Sequence, residues 1–357
     1  MGENQLRPPS RHKGASKIII CRRPREEPNR KTGLGRYADM LESCLENVPY
    51  DVVEANVNLS HGIKNFLLNG IIHPIRNARK IDTPDTVFHA ADELCSVIFP
   101  FIKGKKIMTV HHVSFKRGRF DLFYYMWVCI TKIGMNQSDR IIAISETTRR
   151  DLVSIGCPED KIEVIVSCID PKFEKKDIPK KKGVFCMGQL APRKNMQDAM
   201  RAFIDLSRYE GMEDCTLTFC GDGPDRAELE NMATEAGVSD RVKIISGISE
   251  DEMVDLYNQN MVVFNTSILE GTGLVTLESQ RCGTPVLHLN KAKIPESVTR
   301  MSIGCDSPED MSKKAYELMT DPAKYKDLSE RSQEYAVSFG EDFKKRYLTL
   351  LEEVRNN

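Results

Sequence analysis

Residues 259–287 read QNMVVFNTSILEGTGLVTLESQRCGTPVL, and this stretch decides the fold. Met261 to Phe264 is a β-branched and aromatic run that predicts a buried strand. A polar break, NTSILEGTG, follows, and after Gly273 the residues alternate with helical spacing as far as Arg281, where Cys282-Gly283 ends the helix. Thr284-Pro285 then opens a second strand, Val286 to Leu289. A strand that feeds a glycine-bearing loop and then a helix start presents free N–H groups and a positive dipole end, the conditions for holding an anion. Glu270 in the loop and Glu278 in the helix flank that point. Carboxylates only accept hydrogen bonds, so a ligand with hydroxyls on either side of a diphosphate suits the arrangement.

The same alternation runs outward in both directions. Lys17–Cys21, Asp51–Ala55, Thr86–His89, Lys105–Val110, Arg140–Ile144 and Lys161–Val166 read as strands. A charged, Pro-containing stretch without hydrophobic period, PKFEKKDIPKKKG (171–183), reads as a linker. Val184–Met187, Thr216–Cys220 and Val242–Ile245 continue the pattern beyond it. Ser145 is placed to cap a helix beginning at Glu146. Strand and helix alternating throughout predict an α/β protein of two doubly wound Rossmann-like domains facing a cleft. The first is expected over residues 1–171 and the second over 172–339.

With 357 residues the chain suits two domains, and 40% hydrophobic with 29% charged residues is ordinary for a globular enzyme. Eleven cysteines stand singly, with no C-x-x-C pair, which argues for reduced thiols and against structural zinc. The start, MGENQLRPPSRHKGASK, is polar and basic without an apolar signal core, so a cytoplasmic location is expected. Residues 1–170 hold 25 Lys and Arg against 20 Asp and Glu, a basic half that suits acidic acceptors or membrane. In segment 61–80, Ile63, Phe66, Leu67, Ile71 and Ile75 recur at helical spacing with Lys64, Arg76, Arg79 and Lys80 nearby. Two readings of it stand: a core-facing helix, or an interfacial helix docking peripherally on the inner membrane face. Phe120 to Ile133 reads as a bulky apolar core helix.

The central stretch, with E-G-x-G-L, a second Glu eight residues on and C-G-T-P after it, resembles the E-x7-E signature of retaining glycosyltransferases of the two-Rossmann-domain (GT-B) type. That group includes the glycogen-synthase-like and mannosyltransferase-like enzymes. G-x-L-x-P-R-K-N over Gly188–Asn195 is similar to the group's diphosphate-binding motif, which implies Arg193 and Lys194 on the donor phosphates. Some relatives carry a further Arg where Gln189 stands, leaving neutralisation here to two cations. T-G-L-G-R-Y resembles the group's G-I-G-R-Y opening, with Gly33 where backbone approaches the distal phosphate. HHVSF resembles H-D-L-S-F, which implies His111 near the reacting carbon, with His112 in place of the acid. Ser167-Cys168 stands where relatives have Asn-Gly. The last helix, 340–357, is expected to cross back onto the first domain, as in relatives.

The resemblance implies a retaining transferase that moves a hexosyl group from a UDP- or GDP-sugar to a glycan, lipid-linked or small-molecule hydroxyl. His111, Glu270, Arg193 and Lys194 are the expected catalytic residues. Thr272, Gly273, Leu274 and Val275 would hold the sugar and distal phosphate through backbone N–H groups, and Glu278 the ribose. No Asp-x-Asp pair is placed to hold a divalent ion, so neither metal nor cofactor beyond the donor is expected, and no nucleic acid. The alternative is a nucleotide-sugar epimerase of similar shape. A dinucleotide oxidoreductase would need the third glycine and downstream acid that the Gly33 turn lacks.

Overall fold

A computed structural model describes residues 17–25, 33–57, 62–111, 113, 122–166 and 169–356. The expectations for the amino terminus, Thr32, His61, His112 and Ser167-Cys168 lie outside the described residues. The chain divides into two compact units, one containing the described residues up to 166 together with 343–356, the other running from 169 to 342.

Unit 1 contains β1 (Ile18–Arg22), α1 (Gly33–Cys44), β2 (Tyr50–Glu54), α2 (Ile63–Asn65), a π-helix over Phe66–Ile72, and α3 (His73–Arg79). β3 (Val87–Ala90), a 3-10 helix over Glu93–Phe101, β4 (Lys105–Val110), α4 (Leu122–Gln137), β5 (Arg140–Ala143), α5 (Glu146–Ser154) and β6 (Ile162–Val164) complete it. Its sheet is parallel in the order β2-β1-β3-β4-β5-β6. Parallel strands are covered on both faces, which is why β1 and β3 are buried at every residue and read as continuous apolar runs rather than alternating ones. Ser145 caps α5, accepting from Thr148 N at 3.1 Å.

Unit 2 contains β7 (Lys181–Met187), α6 (Met196–Leu206), β8 (Thr216–Cys220), α7 (Arg226–Glu235), β9 (Val242–Ile245), α8 (Glu250–Gln259) and β10 (Asn260–Asn265). Then come α9 (Leu274–Arg281), β11 (Val286–Leu289), α10 (Glu296–Thr299), β12 (Ile303–Cys305), α11 (Pro308–Thr320) and α12 (Pro322–Asn356), whose last residues belong to unit 1. The parallel order β12-β11-β10-β7-β8-β9 is that of a dinucleotide-binding sheet. Its strand order reverses between β7 and β10, paired through Val262 with Val184 and Val263 with Phe185. Open α/β sheets bind ligands at the carboxyl ends of strands beside such a reversal.

Three sequence expectations are corrected. The stretch 171–183 is not a free linker: Phe173 lies in the core of unit 2, and Lys181–Gly183 is strand. Lys180 donates to the Asn258 and Asn260 carbonyls and to Thr284 Oγ1, while Lys176 pairs with Asp255 at 2.7 Å. Lysine stems packed along a surface leave no hydrophobic period to detect. In 61–80, Phe66 is buried and Ile71 and Ile75 pack on the core, but Leu67 is exposed, because a π-helical turn shifts the phase. On α4, Trp127 and Ile130 are buried, but Tyr125 and Ile133 face solvent.

Candidate active site

The two loops at the β7/β10 reversal are stitched together. Ile268 N donates to the Arg193 carbonyl at 2.9 Å, Thr266 Oγ1 to the Lys194 carbonyl at 3.1 Å, and Arg193 Nη1 to the Leu269 carbonyl at 3.1 Å. Asn195 stands between β7 and α6 with φ 51°, a left-handed conformation that Asn tolerates better than most residues. Its side chain donates to Asp198 at 2.8 Å. Asp198 also receives Arg201 at 2.6 Å and Lys291 at 3.2 Å. A third strap, 291–295, lies against the acidic loop: Glu270 N bonds the Lys293 carbonyl at 3.0 Å and Lys293 N the Ile268 carbonyl at 2.8 Å. Nothing in the sequence KAKIP marked that role.

These straps bring Arg193, Lys194 and Glu270 together. Lys194 Nζ meets Glu270 Oε1 at 2.5 Å, and Arg193 Nη1 lies 3.7 Å from Oε2. Lys194 is buried, whereas the Arg193 side chain is about half exposed. Gly188 makes room for the ammonium: its φ is +140°, and an added Cβ would fall 2.9 Å from Lys194 Cε. Beyond Glu270 the chain passes Thr272 and reaches Gly273, which heads α9 with φ +74°. A Cβ there would sit 2.8 Å from Val298 Cγ1. Thr276 N already bonds the Gly273 carbonyl, while the N–H groups of Leu274 and Val275, first in the helix, have no intrahelical carbonyl to bond.

Glu278 behaves differently from Glu270. It is only 2% exposed, and Oε2 accepts from Tyr257 Oη at 2.9 Å. Tyr257 was not singled out by sequence, because an aromatic on an amphipathic helix is ordinary core. Among the described residues, no group of three or more His, Cys, Asp or Glu is placed to hold a metal ion.

Gly33 and His111 lie in unit 1. Gly33 is the first residue of α1, and His111 follows β4 directly. The imidazole is buried, edge-on to the Tyr37 ring at 4.7 Å. Its Nε2 lies 3.0 Å from the Ala91 carbonyl, which only accepts, so that nitrogen carries the proton. Its backbone N–H donates to Glu93 Oε1 at 2.8 Å. Tyr37 Oη and His89 Nε2 share Thr109 Oγ1 at 3.0 and 2.9 Å, and His89 Nδ1 reaches Tyr347 Oη on α12 at 2.9 Å. Burial, aided by His111, lowers the His89 pKa to about 3.

Around them stands a charge cluster that the sequence reading did not single out. Arg22, 1% exposed, pairs with Asp39 at 2.6 Å and with Glu42, which Arg25 also reaches at 2.5 Å. Burial works against the Arg22 charge, but its two carboxylates outweigh that and raise its pKa. Arg23 meets Asp92 at 3.0 Å, and the pair holds Asp92 below the usual carboxylate range although burial pushes it up. Asp92 in turn caps the 3-10 helix through Leu94 N and Cys95 N. The available signal was an arginine pair directly after a fully apolar strand.

Comparison with known proteins gives a consistent result. Residues 169–335 match the family described as glycosyl transferases group 1, and 13–173 match glycosyltransferase family 4. The chain is 28% identical over 188 residues to a GDP-mannose-dependent alpha-(1-6)-phosphatidylinositol monomannoside mannosyltransferase of Mycolicibacterium smegmatis, covering 47% of this chain and 48% of that protein. It is 23% identical over 220 residues to N-acetyl-alpha-D-glucosaminyl L-malate synthase of Bacillus anthracis, covering 57% and 56%. The chain thus spans about half the length of these curated relatives. Among solved structures, sucrose-phosphate synthase from Thermosynechococcus elongatus superposes with TM-score 0.74 at 13% identity, covering 95% of this chain and 99% of that one. HepE from Anabaena, solved in complex with UDP and glucose, gives 0.72 at 14%, covering 94% and 100%. At these identities the likeness establishes a shared two-Rossmann-domain fold.

Proposed function

The chain belongs to the group 1 glycosyltransferases of the GT-B fold, and from that premise we propose that it transfers a hexosyl group from a nucleoside diphosphate sugar to an acceptor hydroxyl. The observation that carries this reading is the convergence of Lys194, Arg193 and Glu270 beside the head of α9, at the point where the unit 2 sheet reverses. Two cations and a helix start suit a diphosphate, and the carboxylate among them suits a sugar hydroxyl.

In the proposed reaction the bond from the anomeric carbon to the distal phosphate oxygen breaks and a bond from that carbon to the acceptor oxygen forms, while the acceptor releases its proton. Negative charge grows on the departing diphosphate as the sugar becomes oxocarbenium-like. Lys194 and Arg193, now compensated by Glu270, would turn to that charge, together with the N–H groups of Leu274 and Val275. The N–H of Thr272 and the head of α9 at Gly273 would hold the sugar, and Glu278, oriented by the Tyr257 hydroxyl, would accept from the ribose. His111, with its proton fixed on Nε2, offers Nδ1 as an acceptor for a sugar hydroxyl. Retention at the anomeric carbon and independence of divalent metal belong to the same proposal.

UDP- and GDP-sugars are the candidate donors, and a glycan, a lipid-linked sugar or a small polyol the candidate acceptor. One relative is named for GDP-mannose and a phosphatidylinositol mannoside, and one structural neighbour holds UDP. Calorimetry with UDP and GDP, followed by a screen for slow donor hydrolysis, tests the reading. Micromolar-range binding of one nucleotide with release of its sugar is expected. No affinity for either nucleotide would overturn it, and isomerised donor without acceptor would indicate an epimerase.

A further inference from the structure

The helical segment between β2 and β3 carries none of the residues assigned above to the transfer chemistry, and it holds three large apolar side chains in water. Leu67 is 46% exposed, Leu68 38% and Ile72 51%. Its inner face is firmly seated. Phe66, Pro74 and Ala78 are buried, Asn56 N donates to the Asn69 carbonyl at 2.9 Å, and a Cβ on Gly70 would lie 2.7 Å from the Asn56 carbonyl oxygen. The outward side chains are therefore fixed in place. They face out because residues 66–72 wind as a π-helix, with i→i+5 bonding. Regular α-winding would align Leu67 with Phe66 and Ile71 on the inner face. The wider turn brings Leu67 out beside Leu68 and Ile72.

Charge supplies the second observation. No Asp or Glu occurs between Glu54 and Asp82, while Lys64, Arg76, Arg79 and Lys80 all lie in that span and all four are exposed. Among the described residues none of these cations has a carboxylate partner. Lys64, Leu68, Ile72, Arg76 and Lys80 recur every fourth residue, so the apolar pair is bracketed by cations along one side.

We propose that this segment seats the protein on an anionic lipid bilayer. Leu67, Leu68 and Ile72 enter the boundary between headgroups and acyl chains, and the bracketing cations sit on lipid phosphates. A protein partner would need its own acids placed to match each cation, whereas an anionic bilayer supplies phosphate all around the apolar patch. Three apolar side chains make the attachment shallow and reversible. No helix among the described residues is long and apolar enough to cross a membrane. The inference stands independently of the glycosyl-transfer reading.

Flotation of the full chain with phosphatidylcholine vesicles, with and without phosphatidylglycerol, tests it. Binding is expected only with phosphatidylglycerol and should weaken with added salt. The double variant L68S/I72S should lower partitioning on the order of tenfold, and R76Q and K80Q by about fivefold each. The charge variants keep the test decisive should L68S/I72S misfold. Failure of the wild-type chain to float with anionic vesicles, or equal flotation of wild type and all variants, would overturn the proposal. Concentration-dependent self-association that L68S/I72S abolishes, without flotation, would overturn it in favour of a second copy of the chain.

Discussion

At the carboxyl end of β1 in unit 1, and of β7 in unit 2, the chain sets cations against carboxylates, and it treats the two sets differently. Arg22 is sealed in by Asp39 and Glu42, with Arg25 closing over Glu42. Lys194 has one strong partner, Glu270, whose second oxygen is only loosely approached by a half-exposed Arg193. In unit 1 the charges are satisfied within the protein and hold the β1 end, Asp92 and the 3-10 helix in fixed places around His111. In unit 2 they are satisfied just enough to be folded, beside N–H groups of α9 that lack intrahelical carbonyls. A buried pair with all its lone pairs filled builds structure, and one with a single exchangeable partner can take up a ligand.

The sharpest way to break this contrast is to remove one cation from each side. Lys194→Ala should slow turnover of the true nucleotide-sugar by 10²–10³, about 3–4 kcal/mol of transition-state stabilisation, in a steady-state assay. Arg193→Ala should do less, since that side chain is half in water. Arg22→Met strands Glu42 and Asp39 and should destabilise unit 1 by roughly 3 kcal/mol. Hydrogen exchange should quicken through β1 and β3 while β7 and β10 keep their protection, and nucleotide affinity should survive. If Arg22→Met abolished nucleotide binding in a folded protein, the division of labour between the two clusters would be wrong. A smaller effect is expected at the helix head. Gly273→Ala forces an alanine to φ +74° against Val298 and should cost about 1–2 kcal/mol by denaturant titration, with weaker nucleotide binding.

How far the sequence could be read also differs between the two sites. In unit 2 the motif residues are contiguous, so EGTG, GLVTLE and PRKN announced both the strand–loop–helix geometry and the residues that meet in it. Parallel strands are continuous apolar runs, so those of both units were legible to within one to three residues at each end, apart from β12, which is only three residues long. Separation along the chain was not the obstacle, since Lys194 and Glu270 are 76 residues apart, further than Arg23 from Asp92 at 69 or Tyr37 from Thr109 at 72. The site wall of unit 1 was not legible because Arg23, Asp92 and Thr109 stand in no motif that singles them out. The phase of the 66–72 helix was not legible either, since periodicity assumes α-winding. The lysine-rich 171–183 stretch hid its attachment because the bonds run from Nζ atoms to backbone carbonyls.

Titration separates the two units most cleanly by region. His89, fully buried in unit 1, has its pKa lowered by burial from 6.5 to about 3. Between those values the unfolded chain binds a proton that the folded chain refuses, so stability rises with pH across the window and is lost as pH falls from 6.5 towards 3. The slope is at most about 1.4 kcal/mol per pH unit. Lys180 in unit 2 is lowered from 10.5 to about 8, again by burial first. Here too the unfolded chain binds the extra proton, so its contribution grows as pH rises from 8 to 10.5. Hydrogen exchange followed across pH should therefore show β3 and β4 loosening on acidification through the lower window, with His89→Gln flattening that response. The β7–β10 pairing beside Lys180 should instead tighten between pH 8 and 10. A β3–β4 region indifferent to pH between 6.5 and 4 would mean that His89 is solvated and that the Tyr37–Thr109–His89–Tyr347 chain does not tie α12 to the strands behind His111.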